Sequence, residues 1–181
     1  MLHCCNNPAM TNMEEDDEAL IGRYARGDAA AFDQLYKRHE LRVWRYLECN
    51  LRNTAASDEL LLEVWFALAR NTASVESSAR VRSRLFTLAH DRMAQWLEAR
   101  GEPTTSEAGG DQPPVAADPV SALAQALAQL PREQREAYLL QVEGQLSVGE
   151  IAEIAGSTIG AAQGNLRQAR LALRALLSEA T

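Results

Sequence analysis

Apolar residues recur at steps of three and four along most of this chain, and this spacing limits its fold more than any other feature. Between Glu18 and Arg100 no segment alternates apolar and polar residues as a half-buried strand would. The clearest stripe runs through Phe32, Leu35, Tyr36, His39, Val43, Tyr46 and Leu47. Such a stripe covers the face of an amphipathic helix that packs on a core. The sequence therefore predicts an all-α fold, with His39 as a core residue rather than a functional one.

Four helices are expected in this first part of the chain because their ends carry recognisable signals. Asp16 or Asp17 can cap the first helix, and Gly27 ends it. Polar or aperiodic stretches separate the later helices, as turns and loops do. The first expected helix covers residues 18–26, and the second begins at 28. A polar turn at 53–57 precedes the third, at 58–70. After a loop at 71–78, the fourth runs to Arg100.

The acidic residues are concentrated in two stretches that lack Lys and Arg. Residues 1–17 and 101–130 carry four acids each and so contribute a charge of −8, whereas the whole chain has a net charge of −7. The rest of the chain is nearly neutral, which fits weak DNA binding assisted by a larger partner and not a strong autonomous binder. Gly, Pro, Ser and Thr are also frequent between 101 and 117, as in interdomain linkers. We expect a disordered acidic stub (1–17), a helical domain (18–100), a flexible linker (101–118) and a second helical domain (119–181).

Several classes of protein do not fit the composition. Cys4, Cys5 and Cys49 give no even disulfide framework, which favours a reducing cytoplasm. Adjacent cysteines suit a tetrahedral metal centre poorly, and no second ligand pair follows. The sequence shows neither a membrane-spanning apolar run nor a signal sequence. No nucleophile–base pair or phosphate-binding glycine loop is recognisable, so we expect no enzyme activity, cofactor or metal.

The third expected helix carries two apolar residues away from its core-facing side. Its inward stripe consists of Leu61, Val64, Trp65 and Leu68. Leu62 and Phe66 lie a quarter to a third of a turn from that stripe, on a flank shared with Glu59 and Glu63. An exposed Leu–Phe pair edged by carboxylates is typical of a docking surface for a basic partner. The alternative is a wider core against a neighbouring helix, and the sequence does not decide between them.

The fourth expected helix is rich in arginine. Arg80, Arg82, Arg84 and Arg92 follow a loop, where they are well placed to contact nucleic-acid phosphates. A plain solvated helix face has the same composition, so this pattern is weak by itself.

The C-terminal part has the signals of a helix-turn-helix. Ser147 and Glu150 form a capping box at the start of a short helix that Gly156 ends. Ser157 or Thr158 can cap the next helix, whose expected core stripe is Ile159, Ala162, Leu166, Ala169 and Leu173. In a helix-turn-helix the second helix enters the major groove, and Arg167, Arg170 and Arg174 on its flank can hold phosphates. A helical hairpin without a DNA role is the alternative.

Short segments on both sides of the linker together resemble one protein family. They are YARGDAAAF at 24–32, LY at 35–36, DELLLEVW at 58–65, RLFTLA at 84–89, LPREQRE at 130–136, GEIA at 149–152 and LRQAR at 166–170. The combination, which is far more specific than any one segment, resembles the extracytoplasmic-function sigma factors of bacterial RNA polymerase. The resemblance covers roughly residues 18–100 and 120–178.

The resemblance implies a factor that directs core polymerase to specific promoters and initiates transcription. Its first domain, like sigma region 2, would bind the polymerase and open the promoter, and its second, like sigma region 4, would read the upstream element. The implied loop 71–78 would receive an extruded base, and residues 80–95 would line the melted strand. The implied core-polymerase-binding residues are Asp58, Glu59, Leu62, Glu63, Trp65 and Phe66.

Departures from the family pattern are concentrated where DNA would be read. Arg84 stands where an aromatic residue is usual, and residues 93–98 are less basic than in the family. The face of the last helix around Gly164 is small and uncharged, although Gln163 or Gln168 can pair with adenine. The DNA-binding candidates are Arg80, Arg82, Arg84, Arg92, Gln95, Gln163, Asn165, Arg167, Gln168 and Arg170.

The expected partners are RNA polymerase core, promoter DNA and an anti-sigma factor, and the free protein is expected to be monomeric and not to span a membrane. A second function remains open at this point: a sigma-like decoy or adaptor that binds polymerase or an anti-sigma factor with reduced DNA readout. A third, a helix-turn-helix repressor, leaves residues 18–100 unexplained.

Overall fold

The computed structural model describes residues 16–71, 78–101 and 119–179, and these residues form α-helices and no strand. The all-α prediction is confirmed. Most of the predicted stub, loop and linker lies outside the described residues. The helices are α1 (Asp17–Ala25), α2 (Ala29–Leu51), α3 (Thr54–Arg70), α4 (Ser78–Ala99), α5 (Pro119–Gln129), α6 (Arg132–Val142), α7 (Val148–Ile154) and α8 (Ile159–Glu179).

Side-chain caps fix the starts of the first three helices and correct two predicted boundaries. The Asp16 carboxylate accepts from the Ala19 N–H, so α1 begins at Asp17, and the expected disordered stub does not extend to that residue. The Asn53 side chain accepts from the Ala56 N–H, and α3 therefore begins at Thr54 rather than near Asp58. The predicted polar turn at 53–57 is largely the first turn of α3, because a capping Asn lets the helix start at once.

Helices α1 to α4 pack around an apolar core with one buried ionic group. Leu35, Tyr46 and Phe86 are fully buried in it. His39 is also buried, as predicted, and its Nε2 lies 2.8 Å from the Asp17 carboxylate. A buried carboxylate needs such partners because removing it from water is costly.

Helices α5 to α8 form the second half, which contains the expected helix-turn-helix. Ser147 and Glu150 make both hydrogen bonds of the capping box at the start of α7. Gly156 follows α7 with φ +57°, a left-handed conformation that glycine adopts at little cost. Ile159 is exposed, contrary to the predicted core stripe, because it lies in the first turn of α8 where no described element covers it.

The two halves lie against each other. Helix α2 contacts α5 and α6, and α4 contacts α7. The buried apolar residues of both halves form one continuous cluster. The division into two domains stays a prediction, and the two halves share a packed face in the structure. No helix within the described ranges is both long and apolar enough to cross a membrane.

Candidate functional site

The first candidate surface is the outer face of α3. Leu62 is 54% exposed and Phe66 is 64% exposed, while Glu59 and Glu63 beside them are also exposed. None of the described helices covers the pair, so the alternative of a wider core does not hold in this part of the chain. An uncovered apolar pair flanked by carboxylates is suited to a partner that is apolar at its centre and basic at its rim.

Trp65 does not belong to that surface, although the resemblance placed it there. Its side chain is buried, with its ring edge-on to Phe32 at 5.6 Å and 5.0 Å from the Tyr36 ring. The reason is its place on the inward stripe of α3. Trp65 therefore supports the exposed face from behind and does not offer contact area in this conformation.

An exposed residue of α2 joins the same face, and the sequence analysis missed it. The Trp44 indole N–H donates to the Asp58 carboxylate at 2.7 Å, and the Thr54 hydroxyl donates to Glu48 at 3.2 Å. These two contacts show that α2 and α3 run antiparallel. Leu41, about one turn before Trp44 on α2, is 52% exposed. We call Leu41, Leu62 and Phe66 the apolar face; Leu41 was missed because it lies off the periodic stripe of α2.

The predicted arginines of α4 do not form one open basic strip. Arg82 donates to the Gln145 side chain of the second half at 2.7 Å. The Nε atom of Arg84 is buried and has no hydrogen-bond partner within the described residues. Arg92 donates to Gln95 at 3.2 Å and lies 3.7 Å from the Glu63 carboxylate. Gln95 is exposed, and the Arg80 side chain lies outside the described part of the chain.

The α8 helix presents the second candidate surface. Gln163, Arg167, Gln168 and Arg170 are exposed, and Asn165 is half-buried. A groove of about 340 Å³ runs between α8 and the α6–α7 side of this half. Its lining is Gln141, Val148, Gln163, Leu166, Arg167, Arg170, Leu171 and Arg174. The arginines are thus grouped along one flank, and the Arg170 guanidinium donates to the Gln141 side chain.

This arrangement of α8 fits phosphate contacts better than dense base contacts. Its outward face near Gly164 carries no large side chain, and nothing lies within 4 Å of a Cβ added there. Arginines at one edge can hold phosphates, while Gln163 and Gln168 are the candidates for base edges. No cluster of three or more His, Cys, Asp or Glu side chains that could hold a metal ion occurs among the described residues.

Comparison with known proteins identifies relatives of both halves. Residues 121–173 match the family model described as sigma-70, region 4. The chain is 31% identical over 169 residues to the RNA polymerase sigma factor CarQ of Myxococcus xanthus, covering 87% of this chain and 95% of that protein. It is 28% identical over 170 residues to the ECF RNA polymerase sigma factor SigM of Mycobacterium tuberculosis, covering 91% of this chain and 86% of that one.

Two solved structures share the fold. The sigma factor RpoE of Bartonella quintana, solved with the anti-sigma factor NepR, superposes with a TM-score of 0.66 at 19% identity, over 81% of this chain and 96% of that chain. CnrH, solved with the cytosolic domain of CnrY, superposes with a TM-score of 0.63 at 22% identity, over 92% of this chain and 100% of that chain.

Proposed function

The chain belongs to the extracytoplasmic-function (ECF) sigma factors of RNA polymerase, and from that premise we propose which of its surfaces performs each part of promoter recognition. The apolar face on α2 and α3 binds the polymerase core. Helix α4 contacts the separated DNA strand, and α8 contacts the upstream promoter element. The chain contributes no catalysis of its own, because RNA synthesis belongs to the polymerase.

The exposure of Leu62 and Phe66 is the observation that carries the polymerase-binding proposal. The inward apolar residues of α3 are buried, whereas these two remain more than half exposed at 54% and 64%. Burying an exposed Leu or Phe side chain contributes about 1.5–3 kcal/mol. The flanking carboxylates Asp58, Glu59 and Glu63 would attract a basic rim and exclude acidic partners.

The test of this surface is the double variant Phe66→Ala with Glu63→Lys, assayed for binding to purified core polymerase by fluorescence anisotropy. We expect at least a 50-fold loss of affinity, since an apolar anchor is removed and a charge is reversed. Helical circular dichroism should be unchanged because both side chains lie outside the core.

The matched control is Asp33→Lys, which makes the same charge reversal at another exposed acid of the first half. It should bind core polymerase like the wild type. Equal affinity of the double variant and the wild type would remove α3 from the polymerase interface.

Two further assignments follow from the family and belong to this proposal. We place the protein in the cytoplasm, where RNA polymerase works. The RpoE and CnrH structures were each solved with a second protein, an anti-sigma factor in the first case. We infer that a comparable inhibitory protein binds this chain. The relatives do not favour a decoy or adaptor that lacks promoter readout.

A further inference from the structure

One side of α2 carries arginines that belong to none of the surfaces assigned above. Arg42 and Arg45 are three residues apart, a spacing that keeps side chains on one side of a helix, and Arg52 is the C-cap. Arg45 is near enough to Cys49 to act on it electrostatically, Cys49 acts on Arg135, and Arg52 also acts on Arg135. Arg52 therefore lies on the same side. We call Arg42, Arg45 and Arg52 the arginine row.

The arginine row differs from the arginine that precedes it on the same side of α2. The Arg38 guanidinium donates to the buried Asp17 carboxylate at 2.6 Å and so has a structural partner. The side chains of Arg42, Arg45 and Arg52 make no hydrogen bond and no ion pair with any residue that the structure describes. Arg45 is exposed, and the other two are half-buried. Their donors are available to a ligand.

The arginine row lies next to the surface assigned to DNA on α4. Glu143 feels both helical members of the row: burial raises the pKa of its carboxyl, and the positive charges of Arg45 and Arg42 lower it. Two residues further along, the Gln145 side chain accepts from Arg82 of α4 at 2.7 Å. The row and Arg82 therefore border the same short segment of the chain.

Two features of the row work against the stability of the fold. Arg38 and Arg42 are four residues apart, a spacing at which like charges weaken a helix. Arg52 has φ 53° and ψ 37°, a left-handed conformation for which a helix end usually has glycine or asparagine. Side chains that are kept at such a cost, and that make no contact in return, indicate a binding role.

Arginine at these positions suits phosphate. A guanidinium group donates two parallel hydrogen bonds to a phosphate or a carboxylate, and it stays charged at any physiological pH. The ten residues from Arg42 to Arg52 span about 15 Å of helix, and one strand of DNA carries a charge about every 3.4 Å. The row is therefore long enough for several phosphates. Its place beside α4 favours a nucleic-acid strand over an acidic protein surface.

We propose that the arginine row binds the phosphate backbone of the separated promoter strand, next to the part of that strand which α4 contacts. The inference rests on the proposed role of α4. Phosphates are alike in every sequence, so this contact lengthens the grip on the strand without selecting the promoter.

Anisotropy of a fluorescent 30-nucleotide single-stranded DNA of mixed sequence, titrated with the full chain at several salt concentrations, tests the row. Arg42→Ala with Arg45→Ala should weaken binding about fivefold or more at low salt. The slope of log affinity against log salt should fall by about 1.4, or about 0.7 for each phosphate contact. The control Arg26→Ala with Lys37→Ala removes the same charge at exposed positions outside the row and should leave the slope unchanged.

The variant Arg52→Gly separates binding from folding, because it removes a charge and also relieves the left-handed backbone. The salt slope should fall by about 0.7, while the melting temperature should stay the same or rise by about 2 °C. Arg52→Lys, which keeps the charge, should keep the slope. A lower melting temperature of Arg52→Gly with unchanged DNA binding would show that Arg52 is structural and would remove it from the row.

An oligonucleotide with uncharged methylphosphonate linkages shows whether phosphate is the ligand. Wild type and the Arg42→Ala, Arg45→Ala variant should bind it equally. A difference that persists on this neutral backbone, or an unchanged salt slope on ordinary DNA, would overturn the proposal. A larger loss on a 30-base-pair duplex than on the single strand would overturn the assignment to the separated strand.

Two further measurements distinguish failure of the row from failure of the proposed function. The double variant should bind core polymerase like the wild type; a loss there with unchanged DNA binding would overturn the proposal and assign the row to an acidic protein surface. Arg92→Ala reports on α4 by itself. Unchanged DNA binding in Arg92→Ala, with weaker binding in the row variants, would contradict the role of α4 and leave the row as a phosphate site.

The reverse result, weaker binding in Arg92→Ala alone, would overturn the row and leave the role of α4 intact.

Discussion

At the scale of single residues, Asp17 shows a role that local pattern does not reveal. It is the first residue of α1, and its buried carboxylate accepts from Arg38 at 2.6 Å and pairs with His39 at 2.8 Å. Burial favours the neutral acid, but the His39 hydrogen bond and charge, followed by those of Arg38, hold the pKa of Asp17 below its ordinary value. The ionised carboxylate therefore joins α1 to α2.

We predict that Asp17→Asn lowers the free energy of unfolding by about 2–3 kcal/mol at neutral pH, because the Arg38 guanidinium loses its counter-charge and the buried His39 ring loses its carboxylate partner. Urea unfolding followed by circular dichroism measures this loss. Glu18→Gln, the same change at the exposed neighbour, should cost less than about 0.5 kcal/mol. Equal effects of the two variants would show that the Asp17 pairing contributes nothing.

The same pair predicts a pH dependence. A carboxylate with a lowered folded-state pKa stabilises the fold fully above its unfolded pKa of about 3.9, and this contribution disappears as the pH falls through the folded value. The stability difference between wild type and Asp17→Asn should thus be constant above about pH 5 and shrink below about pH 4. A difference that stays constant down to pH 2 would contradict the assignment.

Sequence reasoning at the residue scale worked where periodicity decides burial. It predicted the burial of His39 and noted the displaced position of Leu62 and Phe66. It missed Asp17, whose partners come from another helix, and it gave Trp65 a surface role that burial does not allow. Contacts between distant segments have no local pattern from which to infer them.

At the scale of elements, the helix ends of the second half were easier to predict from the sequence than those of the first, because caps and turns mark them. The Ser147 capping box and the left-handed Gly156 are local devices, and both occur as expected. The predicted start of α3 was wrong, because Asn53 caps the helix earlier than its apolar stripe indicates. The packing of α6 against α2 has no such local signal and could not be predicted.

Substitution by alanine should change the stability of the protein in opposite directions at two glycines of the helix-turn-helix. Gly156 has φ +57°, so Gly156→Ala should destabilise the fold by about 1 kcal/mol through backbone strain. Gly164 lies inside α8 with nothing within 4 Å of an added Cβ, so Gly164→Ala should stabilise by about 0.5–1 kcal/mol through helix propensity. Thermal unfolding measures both effects. Shifts of the same sign would contradict the geometry of this turn.

Substitutions of the arginines on the flank of α8 should affect DNA binding differently from substitutions of its glutamines. In the polymerase complex, Arg167→Ala with Arg170→Ala should weaken binding to all promoter fragments and reduce the slope of log affinity against log salt by about 2. Gln163→Ala should instead relax preference at one adenine by about 1–3 kcal/mol. Lys37→Ala, an exposed cation on α2, is the control for general charge loss. An unchanged salt slope in the double variant would remove the arginine flank from the DNA contact.

At the scale of the whole molecule, we propose that different parts of the chain carry out different steps of initiation. The apolar face of α2 and α3 is open to a partner, whereas Arg82 of α4 contacts the second half. From the proposed roles of these surfaces, we expect the protein to bind polymerase first and DNA afterwards. The nearly neutral charge of its folded parts agrees with this order, since few phosphates can be neutralised without the polymerase.

The central claim is that this chain directs RNA polymerase to promoters through these surfaces, and run-off transcription tests it most directly. Purified core polymerase is combined with the full chain and a library of genomic promoter fragments, and the new transcript starts are mapped. We predict defined start sites that appear only with the chain and disappear with Phe66→Ala and Glu63→Lys. Start sites that are absent with the wild-type chain, or that survive this double variant, would contradict the account.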